Sequence, residues 1–147
     1  DGQVFLPAIS KNYHILDLHT GEVLRTLTMG SGSYNASSSY QNGKLYISES
    51  ARPGAIPVGS RIVCIDSHTG DILWTHSGGG GLTAPVTASN YIYVASTSDP
   101  FFRCIRTADG SEEWKVAMTD RVDESVPAIY GSKAYIVSAD GNLYCFK

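Results

Sequence analysis

One nine-residue pattern occurs three times along this chain and constrains its fold more than any other feature. Asp17-Leu18-His19-Thr20-Gly21-Glu22-Val23-Leu24-Arg25 is followed by Asp66-Ser67-His68-Thr69-Gly70-Asp71-Ile72-Leu73-Trp74, and then by Arg106-Thr107-Ala108-Asp109-Gly110-Ser111-Glu112-Glu113-Trp114. The turn glycines Gly21, Gly70 and Gly110 are 49 and 40 residues apart, and both tryptophans of the chain, Trp74 and Trp114, stand four residues after a turn glycine. A chain of 147 residues with this self-similarity stacks copies of one supersecondary unit.

The unit is made of short strands. Val4-Phe5-Leu6, Leu45-Tyr46-Ile47, Ile92-Tyr93-Val94 and Ala134-Tyr135-Ile136 are runs of strand type, and three of them follow a further stretch, at 35–40, 83–89 and 125–130. Asn42-Gly43, Ser89-Asn90, Asp109-Gly110, Gly131-Ser132 and Asp140-Gly141 punctuate the runs as turns. Four short strands in about 40 residues is the pattern of a β-propeller blade. The predicted fold is all-β, a single propeller segment of four-stranded antiparallel blades with almost no helix.

With strands named A to D from the axis outward, blade 1 is partial (1–29; strands B, C and D). Blades 2 (30–78) and 3 (79–119) are complete, and blade 4 (120–147) is partial with A, B and C. This predicts fourteen strands. Blades bury their faces against neighbours, so the expectation is a larger ring whose further blades come from the same chain or another.

Charge narrows the partner classes. Net charge is −3 with no basic cluster, which argues against binding along a nucleic-acid backbone. No apolar run approaches the roughly 20 residues of a membrane-spanning helix, so no membrane span is expected.

The pattern Asp-x-x-Thr-Gly-x-x-x-Trp, followed by a strand of the Ala-Pro-Val or Val-Pro-Ala type, resembles the PQQ-like repeat of the quinoprotein alcohol dehydrogenase-like propellers. Residues 66–74 match that family's tryptophan-docking motif throughout. Residues 17–25 depart at Arg25, and residues 106–114 carry Asp109 where Thr would stand. The resemblance implies that each docking Trp lies between blades and offers its N–H to a neighbouring carbonyl. The same family includes dehydrogenases and non-catalytic scaffolds, so the fold does not choose the function.

The repeated polar residues have a structural reading. Asp17 and Asp66 occupy one slot on different blades and are expected to accept turn N–H groups, while Gly21, Gly70 and Gly110 make the tight turn. Cys64, Cys104 and Cys145 also share one slot, two residues before the Asp66 position. Neighbouring blades hold such positions too far apart for a disulfide, so all three are expected as buried, small apolar residues. His19 and His68 share a third slot on separate blades, and no metal site is expected. The resemblance would place PQQ and calcium in a dehydrogenase, but the chain has no Cys-Cys pair and no evident set of calcium ligands.

Function is expected on the loops. The B–C and D–A connections of a propeller share one face. From Tyr46 to Cys64 is 18 residues, against 10 or 11 for the corresponding pairs of the other blades. The insertion carries Arg52, Pro53, Ile56 and Val58, and the adjoining D–A connection carries Gly78, Gly79, Gly80 and Gly81. These eight residues form the candidate binding face. Gly78–Gly81 is not a phosphate cradle, because no helix follows it. The expectation is a non-catalytic, extracytoplasmic (periplasmic or secreted) propeller binding a protein or a carbohydrate. The alternative is a fragment of a PQQ-dependent dehydrogenase with its cofactor site on other blades.

Overall fold

The computed structural model describes residues 2–7, 12–28, 37–49, 59–123 and 125–147. These residues form fourteen strands and no helix. They are β1 (Gln3–Pro7), β2 (Asn12–Asp17), β3 (Val23–Thr28), β4 (Ser37–Gln41), β5 (Lys44–Glu49), β6 (Ser60–Asp66) and β7 (Ile72–Gly79). There follow β8 (Val86–Ala88), β9 (Tyr91–Ala95), β10 (Phe101–Arg106), β11 (Glu112–Ala117), β12 (Ala128–Tyr130), β13 (Lys133–Val137) and β14 (Leu143–Phe146).

Each strand pairs antiparallel with its neighbour in sequence to give four separate sheets: β1–β3, β4–β7, β8–β11 and β12–β14. The inner strands touch across sheets, β1 against β4, β4 against β8 and β8 against β12. Inner edges that converge in this way set the sheets radially about an axis, as propeller blades are set.

Two kinds of turn tie each blade together. Asn42 and Gly43 both have positive φ, the conformation that a two-residue type I′ hairpin requires. The opposite hairpin folds back onto this turn: Leu18 N donates to Gly2 O at 2.8 Å, Ser67 N to Gly43 O at 2.9 Å and Thr107 N to Asn90 O at 2.9 Å. The same bond in three blades aligns Gly2, Gly43 and Asn90 as one position.

The outer strands of blades 1 to 3 carry the same bulge. Trp74 pairs with Cys64 and Ile72 with Ile65, leaving Leu73 over; Leu24 and Glu113 are the extra residues of blades 1 and 3. The bulge increases the local twist of the outer strand. Sequence spacing does not show it.

The core lies between blades rather than within them. Tyr13 and Leu27 of blade 1 pack with Leu45, Ile47, Val63 and Ile65 of blade 2. Ile62 and Cys64 of blade 2 pack with Ile92, Val94 and Ile105 of blade 3. Phe102, Val116 and Trp114 of blade 3 pack with Ala134, Ile136 and Phe146 of blade 4. The sheets of blades 2 and 3 therefore each offer one apolar face to the blade before and the other to the blade after.

Several expected limits move. The innermost strands of blades 3 and 4 are shorter than 83–89 and 125–130, because Pro85 and Pro127 lack the N–H that would extend the ladder. Leu82 is joined to Ser96 only by an isolated bridge. Strand β7 runs on to Gly79, so part of the expected D–A loop is strand.

Candidate functional site

The repeated residues meet at the blade junctions. Trp74 lies against the backbone of Gly110, where a Cβ would come within 2.5 Å of the indole, and its Nε1 donates to Thr107 O at 3.2 Å. At the preceding junction Arg25 holds the Trp slot. Its Nη1 donates to Ser67 O at 3.3 Å, and Ser67 is the residue equivalent to Thr107. The long cation keeps the cross-blade hydrogen bond but not the flat apolar surface, and Leu27 leans over Gly70 instead. Trp114 packs in a ring cluster with Tyr93, Phe102 and Phe146.

Asp17 and Asp66 organise their hairpins. Asp66 Oδ1 accepts the N–H groups of His68 at 2.8 Å and Thr69 at 2.9 Å, and Asp17 Oδ1 accepts those of His19 and Thr20, both at 2.8 Å. Those bonds, Thr69 and Thr20 first, hold both carboxyls below the ordinary range. In blade 3 Arg106 replaces this Asp, and Asp109 Oδ1 instead accepts the hydroxyl and N–H of Ser111. Asp109 is also held low, chiefly by the Ser111 hydroxyl. The hairpin is thus rebuilt with different donors.

On the opposite face, successive loops are laced to one another. Thr97 N donates to Gly81 O at 2.8 Å, and Gly81 N donates to Ser98 Oγ at 3.0 Å. A Cβ on Gly80 would lie 2.1 Å from Ser98 Cβ, one on Gly81 2.3 Å from Thr97 Oγ1, and one on Gly78 2.5 Å from Leu82. The glycine run is therefore a close approach of the connection between blades 2 and 3 to the B–C turn of blade 3, with Gly79 at positive φ beside Asp99. Val122 N donates to Ser96 O at 3.0 Å, and Ala139 N donates to Arg121 O at 2.8 Å, continuing the lacing to blade 4.

One buried slot anchors this face. Ser96 Oγ accepts the N–H groups of Ser98 and Asp99, both at 3.1 Å, and the equivalent Ser138 donates to Asp120 O or Arg121 O at 2.9–3.0 Å. In blade 2 the slot holds Glu49, which is 1% exposed and paired with Arg61 Nε. The insertion departs from Glu49 and returns at Gly59. Arg52, Pro53, Ile56 and Val58 lie outside the described residues.

The family model for the outer membrane protein assembly factor BamB matches residues 58–147. The chain belongs to the BamB family of PQQ-like repeat propellers. BamB of Yersinia pestis is 26% identical over 148 residues, covering 99% of this chain and 35% of that protein. The chain thus spans about a third of the curated relative's length. The crystal structure of BamB from Moraxella catarrhalis matches with a TM-score of 0.75 at 19% identity, covering 99% of this chain and 40% of that one. The crystal structure of the computationally designed Ika4 protein matches at 0.81 and 12% identity, with 99% and 85% covered. The two structural likenesses speak for the propeller fold.

Within this BamB-family segment the reactive side chains are mostly engaged in packing. Cys64 and Cys104 are buried, which pushes both thiols up to about 11. Cys145 departs from the expected burial and is exposed, because among the described residues no further sheet packs on the face of blade 4 that carries it. His76 bridges blades, its Nδ1 sitting 2.9 Å from Gly110 O. Among the described residues no group of three or more His, Cys, Asp and Glu is placed to hold a metal ion.

Proposed function

We propose that this chain is part of a non-catalytic scaffold propeller that acts outside the cytoplasm and binds a protein through its B–C/D–A loop face. The carrying observation is the cross-blade bonding on this face, Ser48 Oγ donating to Thr83 O at 2.7 Å between blades 2 and 3 and Val122 N donating to Ser96 O at 3.0 Å between blades 3 and 4, which gives blades 2 to 4 one hydrogen-bonded platform next to Glu49, from which the blade 2 insertion departs. A rigid platform lowers the ordering cost of binding, and long loops on such scaffolds carry recognition. Membership of a family named for outer membrane protein assembly favours a protein partner from that process. In the described residues no helix is long and apolar enough to cross a membrane.

The test is photo-crosslinking in the native cell, with a photoreactive residue at position 52 or 56 of the full-length protein and a control at Lys133. A discrete protein adduct from the two loop positions, lost on deleting 53–58, is expected. Equal labelling from all three positions would remove the loop-face reading. Adding PQQ and calcium to the purified protein and finding dye reduction with simple alcohols would replace it with the dehydrogenase.

A further inference from the structure

The junction between blades 1 and 2 differs from its successor in a way that leaves an opening. The junction between blades 2 and 3 carries Trp74 in the docking slot, His76 two residues on, and Glu112 opposite. At the first junction the same three positions hold Arg25, Leu27 and Ile72. The result is a cleft of about 290 Å³ with an apolar floor of Leu27, Ile65 and Ile72 and with Arg25, Arg61 and Thr69 around it. Of the two guanidinium groups in its described lining, Arg61 is paired with Glu49, which leaves Arg25 as the cation facing the opening. A second hollow of about 120 Å³ lies on the other side of Arg25, against Leu24 and Ser67.

The rim is apolar as well. Val23, Leu24, Ile72 and Leu73 are 57%, 53%, 56% and 45% exposed, whereas the same two positions in blade 3 are Glu112 and Glu113. Those glutamates are satisfied within their own blade, Glu113 by Arg106 and Glu112 by Arg103 and Lys115. Blades 1 and 2 therefore present paired aliphatic side chains where blade 3 presents closed ion pairs. Arg25 has five N–H donors, of which Nη1 is engaged with Ser67 O.

We propose that the cleft between blades 1 and 2 binds an acidic side chain carried on an apolar segment of a partner protein. The carboxylate meets the Arg25 guanidinium, and its aliphatic neighbours cover Leu24 and Ile72. Charge-assisted pairing to a carboxylate supplies specificity, and the exposed rim supplies apolar contact. This surface lies toward the outer strands, and of its lining residues Arg61 also pairs with Glu49, from which the blade 2 insertion departs.

The experiment titrates the isotopically labelled full-length protein with acetyl-Leu-Glu-Leu-amide and with its Gln counterpart, followed by NMR. Saturable shifts of the Leu27 and Ile72 methyls and of Arg25 Nε are expected with the Glu peptide. Affinity is expected to fall about tenfold or more with the Gln peptide, and likewise for Arg25→Trp, which restores the repeat's own residue. Deleting 53–58 leaves this binding unchanged and so separates it from the loop-face reading. Equal affinity for the two peptides, shifts confined to other surfaces, no saturable binding, or an Arg25→Trp protein that binds as before each overturns the proposal.

Discussion

Trp74 and Gly110 are a matched pair across the junction of blades 2 and 3: the indole occupies the volume that any Cβ on residue 110 would claim. Gly110 also has φ of +75°, whereas Gly21 has φ of +73° with nothing near its missing Cβ. The two positions separate backbone strain from packing. Gly21→Ala is expected to cost about 1 kcal/mol for the left-handed conformation alone. Gly110→Ala is expected to cost about 3 kcal/mol, because the Trp74 ring must also shift. Urea denaturation of both variants checks the difference, and equal losses would contradict the pairing.

Thiol chemistry should distinguish three cysteines that share one repeat slot. Cys64 and Cys104 are buried with thiols pushed up to about 11, while Cys145 is exposed. At pH 8 the folded protein is expected to take a maleimide at Cys145 well before the other two, and all three should react in denaturant. Since only the thiolate reacts, burial and the raised values act together. Peptide mapping that found Cys64 or Cys104 labelled at the rate of Cys145 would contradict the packing.

These cysteines also show how far sequence reading reached. The common slot identified the strand and its inward face, because spacing reports periodicity. It could not report whether another sheet covers that face, and this is why Cys145 departs from expectation. Gly78–Gly81 shows the same boundary. A glycine run in a loop is compatible with ligand contact, and only the positions of Thr97 and Ser98 reveal that it packs against the B–C turn of blade 3. Arg25 could be read as a departure from the Trp motif, but its bond to Ser67 O and the cleft beside it depend on three-dimensional placement. The turns were the most legible part, since Asp66, Thr69 and Gly70 act through bonds local in sequence.

Acid should loosen those turns. Asp17, Asp66, Asp109 and Asp140 are all held below the ordinary carboxylate value, the first two by backbone N–H groups and the others chiefly by the hydroxyls of Ser111 and Tyr144. A depressed folded value means that the unfolded chain binds the proton more readily. The stabilisation is therefore complete above about pH 5 and is lost as pH falls through the folded values. The urea midpoint is expected to drop between pH 5 and pH 2, with a shallower drop in Asp66→Asn, whose amide oxygen still accepts but does not titrate. An unchanged slope in that variant would remove Asp66 from the account.

The last prediction exchanges one blade's solution for another's. Glu49 and Arg61 form a pair with the carboxylate buried, and the equivalent residues of blade 3 are Ser96 and Phe101. Removing one partner of a buried pair leaves an uncompensated charge, which costs 3–5 kcal/mol when both are buried. Arg61 is 32% exposed and partly solvated, so Glu49→Ser is expected to cost about 2 kcal/mol. Adding Arg61→Phe removes the stranded cation and supplies the ring that blade 3 carries. The double variant is expected to regain about 1 kcal/mol, because replacing a buried ion pair by apolar packing is often neutral or better. A double-mutant cycle by chemical denaturation measures this coupling directly. Purely additive losses would show that Glu49 and Arg61 stabilise the base of the loop face independently of one another.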